Sequence, residues 1–83
     1  MEKILIEVTA PAANLTYDML VPYNIQIGEM SQLIASVFSQ LSNGTYVSTG
    51  KNIVCDRATG TTFEPSVFVK DTEIKNGAKL LLF

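Results

Sequence analysis

Residues 15–41 read LTYDMLVPYNIQIGEMSQLIASVFSQL, and the hydrophobic period changes once inside that stretch. From Leu15 to Val21 the side chains alternate, with Tyr17, Met19 and Val21 on one side and Thr16, Asp18 and Leu20 on the other. Period two is the mark of a half-buried strand, because successive side chains point to opposite faces. Pro22 ends the run, having no N–H to give a ladder. Apolar positions then fall at Ile27, Met30, Leu33, Ile34, Val37, Phe38 and Leu41, spaced 3, 3, 1, 3, 1, 3. That spacing predicts an amphipathic helix over 27–41, with Gln32, Ser36, Ser39 and Gln40 on its polar side. Such a rod is about 22 Å long, enough to cover a small sheet. Glu29 sits in the first turn, where the helix dipole favours an anion. The N-cap falls on Asn24 or Gln26, and Asn43-Gly44 supplies the left-handed stop.

Reading outward, Ile4 to Thr9 also alternates, with Ile4, Ile6 and Val8 inward and Leu5, Glu7 and Thr9 outward. The short link Ala10 to Asn14, broken by Pro11, predicts an antiparallel hairpin between the first two strands. Beyond the helix, Ile53, Val54 and Cys55 form a short apolar strand. Asp56 to Gly60 turns the chain, and Thr61 to Phe63 is a brief strand stopped by Glu64-Pro65. Asn76-Gly77 makes a further turn, and Ala78 to Phe83 is the last strand. The expected fold is α+β, with a mixed sheet of four to five strands and one helix packed on one face. First and last strands should lie side by side and parallel, joined by a right-handed crossover. The helix should pack on Ile4, Ile6, Val8, Tyr17, Met19, Val21, Ile53, Cys55, Leu80 and Leu82.

Composition narrows the function classes. The chain has 83 residues, room for one domain (1–83) with a small core. Apolar residues are 47% and charged residues 17%, which excludes a disordered chain. A net charge of −2 gives nucleic-acid binding no electrostatic support. Histidine is absent and Cys55 is the only cysteine, so the commonest general base, the commonest metal ligand and any internal disulfide are missing. The expectation is a protein that is not an enzyme and takes no cofactor or metal. No apolar run approaches the ~20 residues of a membrane span, and no leader pattern is visible. Direct membrane insertion is therefore not expected, and the expected setting is cytoplasmic. Without a leader, Asn14-Leu15-Thr16 and Asn43-Gly44-Thr45 read as chance glycosylation triplets.

Three candidate sites fail on chemistry. A phosphate loop needs four residues between its glycines and Ser or Thr after Lys; here five separate Gly44 from Gly50, and Asn52 follows Lys51. Cys55 falls at an inward position of its strand, whereas a functional thiol needs exposure, and no histidine can activate it. The acids are scattered, and Asp71 with Glu73 is too few for a calcium loop.

The order strand, strand, helix, strand, short strand, strand resembles the ubiquitin-like β-grasp. The resemblance is carried by Phe63, Val67, Val69 and by residues 70–82, KDTEIKNGAKLLL: a polar turn, Ile74, Asn76-Gly77 and a closing strand. Val21-Pro22 leading into Ile27, Met30 and Ile34 is similar too. Among ubiquitin-like families the chain most resembles the YukD/EsaB type, small bacterial proteins encoded with type VII (ESX-like) secretion systems. The connector Ala10 to Asn14 and the loop Ser42 to Thr49 depart from that pattern. Conjugation and sulfur transfer, in the wider family, use a flexible Gly-Gly tail; here Leu80-Leu81-Leu82-Phe83 stands at that place, so neither is expected.

What remains is apolar side chains where alternation predicts polar ones. Leu5, Val54, Leu81 and Phe83 point outward if their neighbours point in, and Leu20 does so from the second strand. In a β-grasp sheet Leu5, Val54 and Leu81 would adjoin on the helix-free face, with Phe83 and Leu20 at its margins and Lys3, Lys51 and Lys79 as a polar rim. A contiguous patch of that kind marks an interaction surface, and the resemblance implies that this face is the partner surface. The expected function is a non-catalytic adaptor or regulatory accessory protein that docks on a protein partner, a membrane-anchored secretion component. The alternatives are a homodimer seam in a self-assembling structural module without a secretion role, or a one-residue register error that returns these side chains to the core.

Overall fold

Strands β1 (Lys3–Ala10) and β2 (Leu15–Pro22) pair antiparallel, with Ile4 opposite Val21 and Val8 opposite Tyr17. Their turn closes through Ala13 N–H to the Ala10 carbonyl, and Asn14 takes a left-handed φ of 53°. The computed structural model describes residues 2–43 and 52–83. After β2 come helix α1 (Ile27–Leu41), β3 (Val54–Asp56), a 3-10 turn (Val69–Asp71) and β4 (Ala78–Leu82). The sheet is four-stranded in the order β2-β1-β4-β3. β1 and β4 run parallel at its centre and β3 pairs antiparallel with β4. This is the expected two-layer α+β arrangement, and α1 has the bounds its periodicity predicts. Thr61 to Phe63 is not a full strand: it touches β3 through one bridge, Cys55 to Thr62, so the sheet is at the lower end of the expected strand number.

The core lies between α1 and one sheet face. Ile6, Val8, Ile27, Met30, Ile34, Phe38, Leu80 and Leu82 are all almost wholly buried. Each such side chain contributes about 1.5–3 kcal/mol before conformational entropy is set against it. Val69 and Ile74 close the end of the core below the helix entry. Gln26 is the N-cap but makes no side-chain cap bond. The exposed N–H groups of the first turn are met from elsewhere: Ile27 donates to the Val67 carbonyl at 2.8 Å and Gly28 to the Pro65 carbonyl at 2.9 Å. Glycine suits position 28, since a Cβ there would stand 3.3 Å from the Pro65 oxygen.

Two features of the expected core are corrected. First, α1 is rolled about its axis. Leu33 and Leu41 are 47% and 55% exposed, while Ser31 and Ala35 are buried in their place. The bonds from Val67 and Pro65 draw the helix entry toward the β3 side, and small residues at 31 and 35 permit the close approach. Ser31 Oγ donates to the Gly28 carbonyl at 2.7 Å, so its burial leaves no polar group unmet.

Second, β3 has the opposite phase. Val54 is 1% exposed and packs in the core, whereas Ile53 is 41% exposed. Val54 is therefore not an outward residue, and Ile53 is not a core residue. Pairing sets this phase: Val54 lies opposite the core residue Leu82, and Cys55 opposite Leu81. Cys55 thus faces away from the helix, yet it is buried because Thr62 covers it, with Sγ 3.6 Å from Oγ1.

Candidate functional site

The helix-free face is built from alternate residues of four strands. β2 contributes Thr16, Asp18 and Leu20; β1 contributes Lys3, Leu5, Glu7 and Thr9; β4 contributes Lys79 and Leu81; β3 contributes the covered Cys55. Beyond the strand ends, Ile53 and Phe83 pair through two backbone bonds of 2.9 Å each, which puts both side chains on this face.

Register decides which of these meet. Leu5 stands directly opposite Leu20. Leu81 is level with Thr9 in the parallel pairing, four residues further along β1. At the strand rise that is about 13 Å from Leu5. The outward apolar residues therefore form two clusters rather than one patch. One end of the face carries Leu5 and Leu20, 43% and 64% exposed. The other carries Leu81, half-buried, with Phe83 at 50% and Ile53 at 41%. Ile53 takes the place expected of Val54. No alternation could reveal this, since residues 53–55 are uniformly apolar.

A charged belt separates the clusters. Glu7 lies between Asp18 on β2 and Lys79 on β4 in the pairing register. Arg57, just past β3, reaches over β4 and places Nη1 2.9 Å from Glu7 Oε2. Its backbone N–H is fixed on the Lys79 carbonyl at 3.0 Å, which aims the side chain across the sheet. Of the expected rim, Lys3 and Lys79 are exposed and Lys51 lies outside the described residues, as do Gly44 and Gly50.

Among the described residues no group of three or more His, Cys, Asp or Glu side chains could hold a metal ion. No helix of the described residues is long and apolar enough to cross a membrane. A cleft of about 280 Å³ lies between the start of α1 and the chain before and after β3, lined by Gly28, Ser31, Gln32, Ile53, Phe63 and Pro65 among others. Among the described residues its lining carries no charged side chain.

No protein-family model matches the chain, and no curated protein matches it. Solved structures do. The ubiquitin-like domain of the Mycobacterium tuberculosis type VII secretion system protein EccD1 superposes with a TM-score of 0.77 at 12% identity, covering 99% of this chain and 98% of that one. A chain of the MycP5-free ESX-5 inner membrane complex superposes with a TM-score of 0.72 at 15% identity, covering all of this chain and 21% of that one. This chain thus spans about a fifth of the length of that membrane-complex component. A chain of a toluene 4-monooxygenase complex superposes with a TM-score of 0.73 at 8% identity, covering 99% of this chain and 100% of that one. At these identities the likeness establishes the ubiquitin-like β-grasp fold, which carries more than one function.

Proposed function

We propose that this chain is a non-catalytic ubiquitin-like docking module of a bacterial type VII-like secretion system, acting from the cytoplasm on a membrane-anchored component. The observation that carries the docking reading is the pair of apolar clusters on the helix-free face, Leu5 with Leu20 and Leu81 with Ile53 and Phe83. Their exposure has no role in the core. The secretion setting rests on likeness to the EccD1 domain and to the ESX-5 membrane-complex chain, together with the YukD/EsaB-like pattern of residues 70–82. A partner would bury the clusters as anchors and use Lys3, Glu7, Lys79 and Arg57 as the polar surround.

The test is a crosslinked pull-down from native cells with the wild-type protein and with Leu81→Lys. Capture of a secretion ATPase or channel protein, lost in a variant that keeps its fold, is the expected result. Capture of the protein by itself alone would make it a self-assembling module instead. Unfolding of Leu81→Lys would move the test to Phe83→Lys, which is more exposed.

A further inference from the structure

The two edges of the sheet differ in what their backbone groups do. At the β3 edge, Asp56 N–H donates to the Thr61 carbonyl at 2.8 Å and Phe63 N–H to the Val54 carbonyl at 3.0 Å, so the following segment occupies the edge. At the β2 edge no such cover exists among the described residues. Leu5 of β1 turns its N–H and C=O toward Asn76 and Gly77, on the β4 side. Even-numbered residues of β1 therefore bond β2, and by the register these face Leu15, Tyr17, Met19 and Val21. Thr16, Asp18 and Leu20 then point their N–H and C=O groups away from the sheet. β2 is eight residues long, a long edge to leave unprotected.

Side chains beside this edge define what it accepts. The α1 flank bearing Gly28, Ser31 and Gln32 lines the cleft on the β3 side. The opposite flank, Glu29, Leu33, Val37 and Leu41 at spacing four, therefore lies on the β2 side, where Phe38 meets Tyr17 at 5.2 Å between ring centres. Leu33 and Leu41 are exposed there, and Leu15, Tyr17 and Met19 are only half-buried. β2 and α1 themselves carry charge of one sign, and the nearest cation across the pairing, Lys3, lies at the far end of β2 opposite Pro22. Between Val8 and Gly50 the chain has no Lys or Arg, and its only charged residues are Asp18 and Glu29. Asp18 faces the like charge of Glu7 across the strand pair, while Glu7 takes the Arg57 ion pair for itself.

We propose that the β2 edge receives an extended, positively charged segment of a partner protein as a fifth strand. Thr16, Asp18 and Leu20 would supply the backbone bonds. A Lys or Arg of the incoming strand would lie beside Asp18. Its alternate apolar side chains would rest over Tyr17, Met19, Leu33 and Leu41. A second copy of this chain fits poorly: of the two seven-residue β2-to-β2 registers that align the outward groups, one sets Asp18 against Asp18 and the other sets Thr16 against Pro22, which has no N–H to give. The proposal does not rest on the helix-free face or on the secretion reading.

The probe is a capped synthetic decamer of alternating valine and lysine, titrated into isotope-labelled protein beside the same decamer with glutamate for lysine. The lysine peptide should slow amide exchange at Thr16, Asp18 and Leu20 and shift the Leu33 and Leu41 methyl signals. Asp18→Lys should weaken its binding by about tenfold or more. Leu20→Pro, which removes an outward N–H and no bond to β1, should weaken it while β1 amide protection persists. Equal binding of the glutamate peptide would overturn the proposal. So would unchanged exchange at the three outward amides, shifts confined to Leu5, Leu81 and Phe83, or a dimer of the protein alone that protects the same amides.

Discussion

The two apolar ends of the helix-free face are built to different standards of rigidity. Leu5 and Leu20 form a single cross-strand pair on the hairpin, and Leu20 stands on the uncovered strand at 64% exposure. Ile53, Leu81 and Phe83 sit over a tighter frame. The Ile53–Phe83 pair is bonded twice, Leu81 is half-buried beside Cys55, and Thr62 flanks Cys55 at the closed edge. A docking surface gains most from anchors whose positions are set before the partner arrives. The difference teaches that exposure alone does not rank the residues: in the proposed docking, the less exposed end would be the firmer anchor and the more exposed end the weaker one.

The sharpest way to break this comparison is to move a charge across the β3 pleat. Val54→Asp puts a carboxylate into the core without a partner and should unfold the domain, a loss of about 4 kcal/mol or more. Ile53→Asp should leave the denaturation midpoint within the ordinary surface range of about 0.5 kcal/mol while weakening docking. If the two variants exchange behaviour, the phase of β3 is wrong and the second cluster dissolves. Next in size is the contrast between anchors. Phe83→Ala should cost the complex about 2 kcal/mol, measured by titration calorimetry, and Leu5→Ala less than about 1 kcal/mol.

Smaller effects probe the belt between the ends. Arg57→Gln removes an ion pair whose side chains are 41% and 31% exposed. Solvent screening holds its stability contribution to about 0.2–1 kcal/mol, so chemical denaturation should move little and less still at high salt. Asp18→Lys replaces a like-charge pair with Glu7 by an opposite one. It should stabilise the fold by a few tenths of a kcal/mol, roughly the scale of one cross-strand pair, and the gain should shrink with added salt.

Much of this molecule can be read from residue spacing, and the places that cannot share a physical cause. β1 and β2 carry polar residues between apolar ones, so their phase is visible: Glu7 and Asp18 mark the wet sides. In Ile53-Val54-Cys55 nothing polar marks a side, and only pairing with Leu82 and Leu81 sets the phase. The roll of α1 was hidden because Leu33 and Leu41 outweigh Ser31 and Ala35 in any hydrophobic stripe. Burial of the small residues depends on the Pro65 and Val67 carbonyls, which come from far along the chain. For the site, Leu5, Leu20, Leu81 and Phe83 were legible as outward residues from alternation. Their separation into two clusters was not, because a parallel register between β1 and β4 leaves no trace in either strand's own pattern.

The most direct test of docking through the firmer end is a photo-crosslinking amino acid placed at position 83 in native cells, beside the same group at position 5. The account predicts a covalent product with a membrane-anchored secretion component from position 83, in higher yield than from position 5. Products from position 5 alone, or from position 83 only with a second copy of this chain, would contradict it.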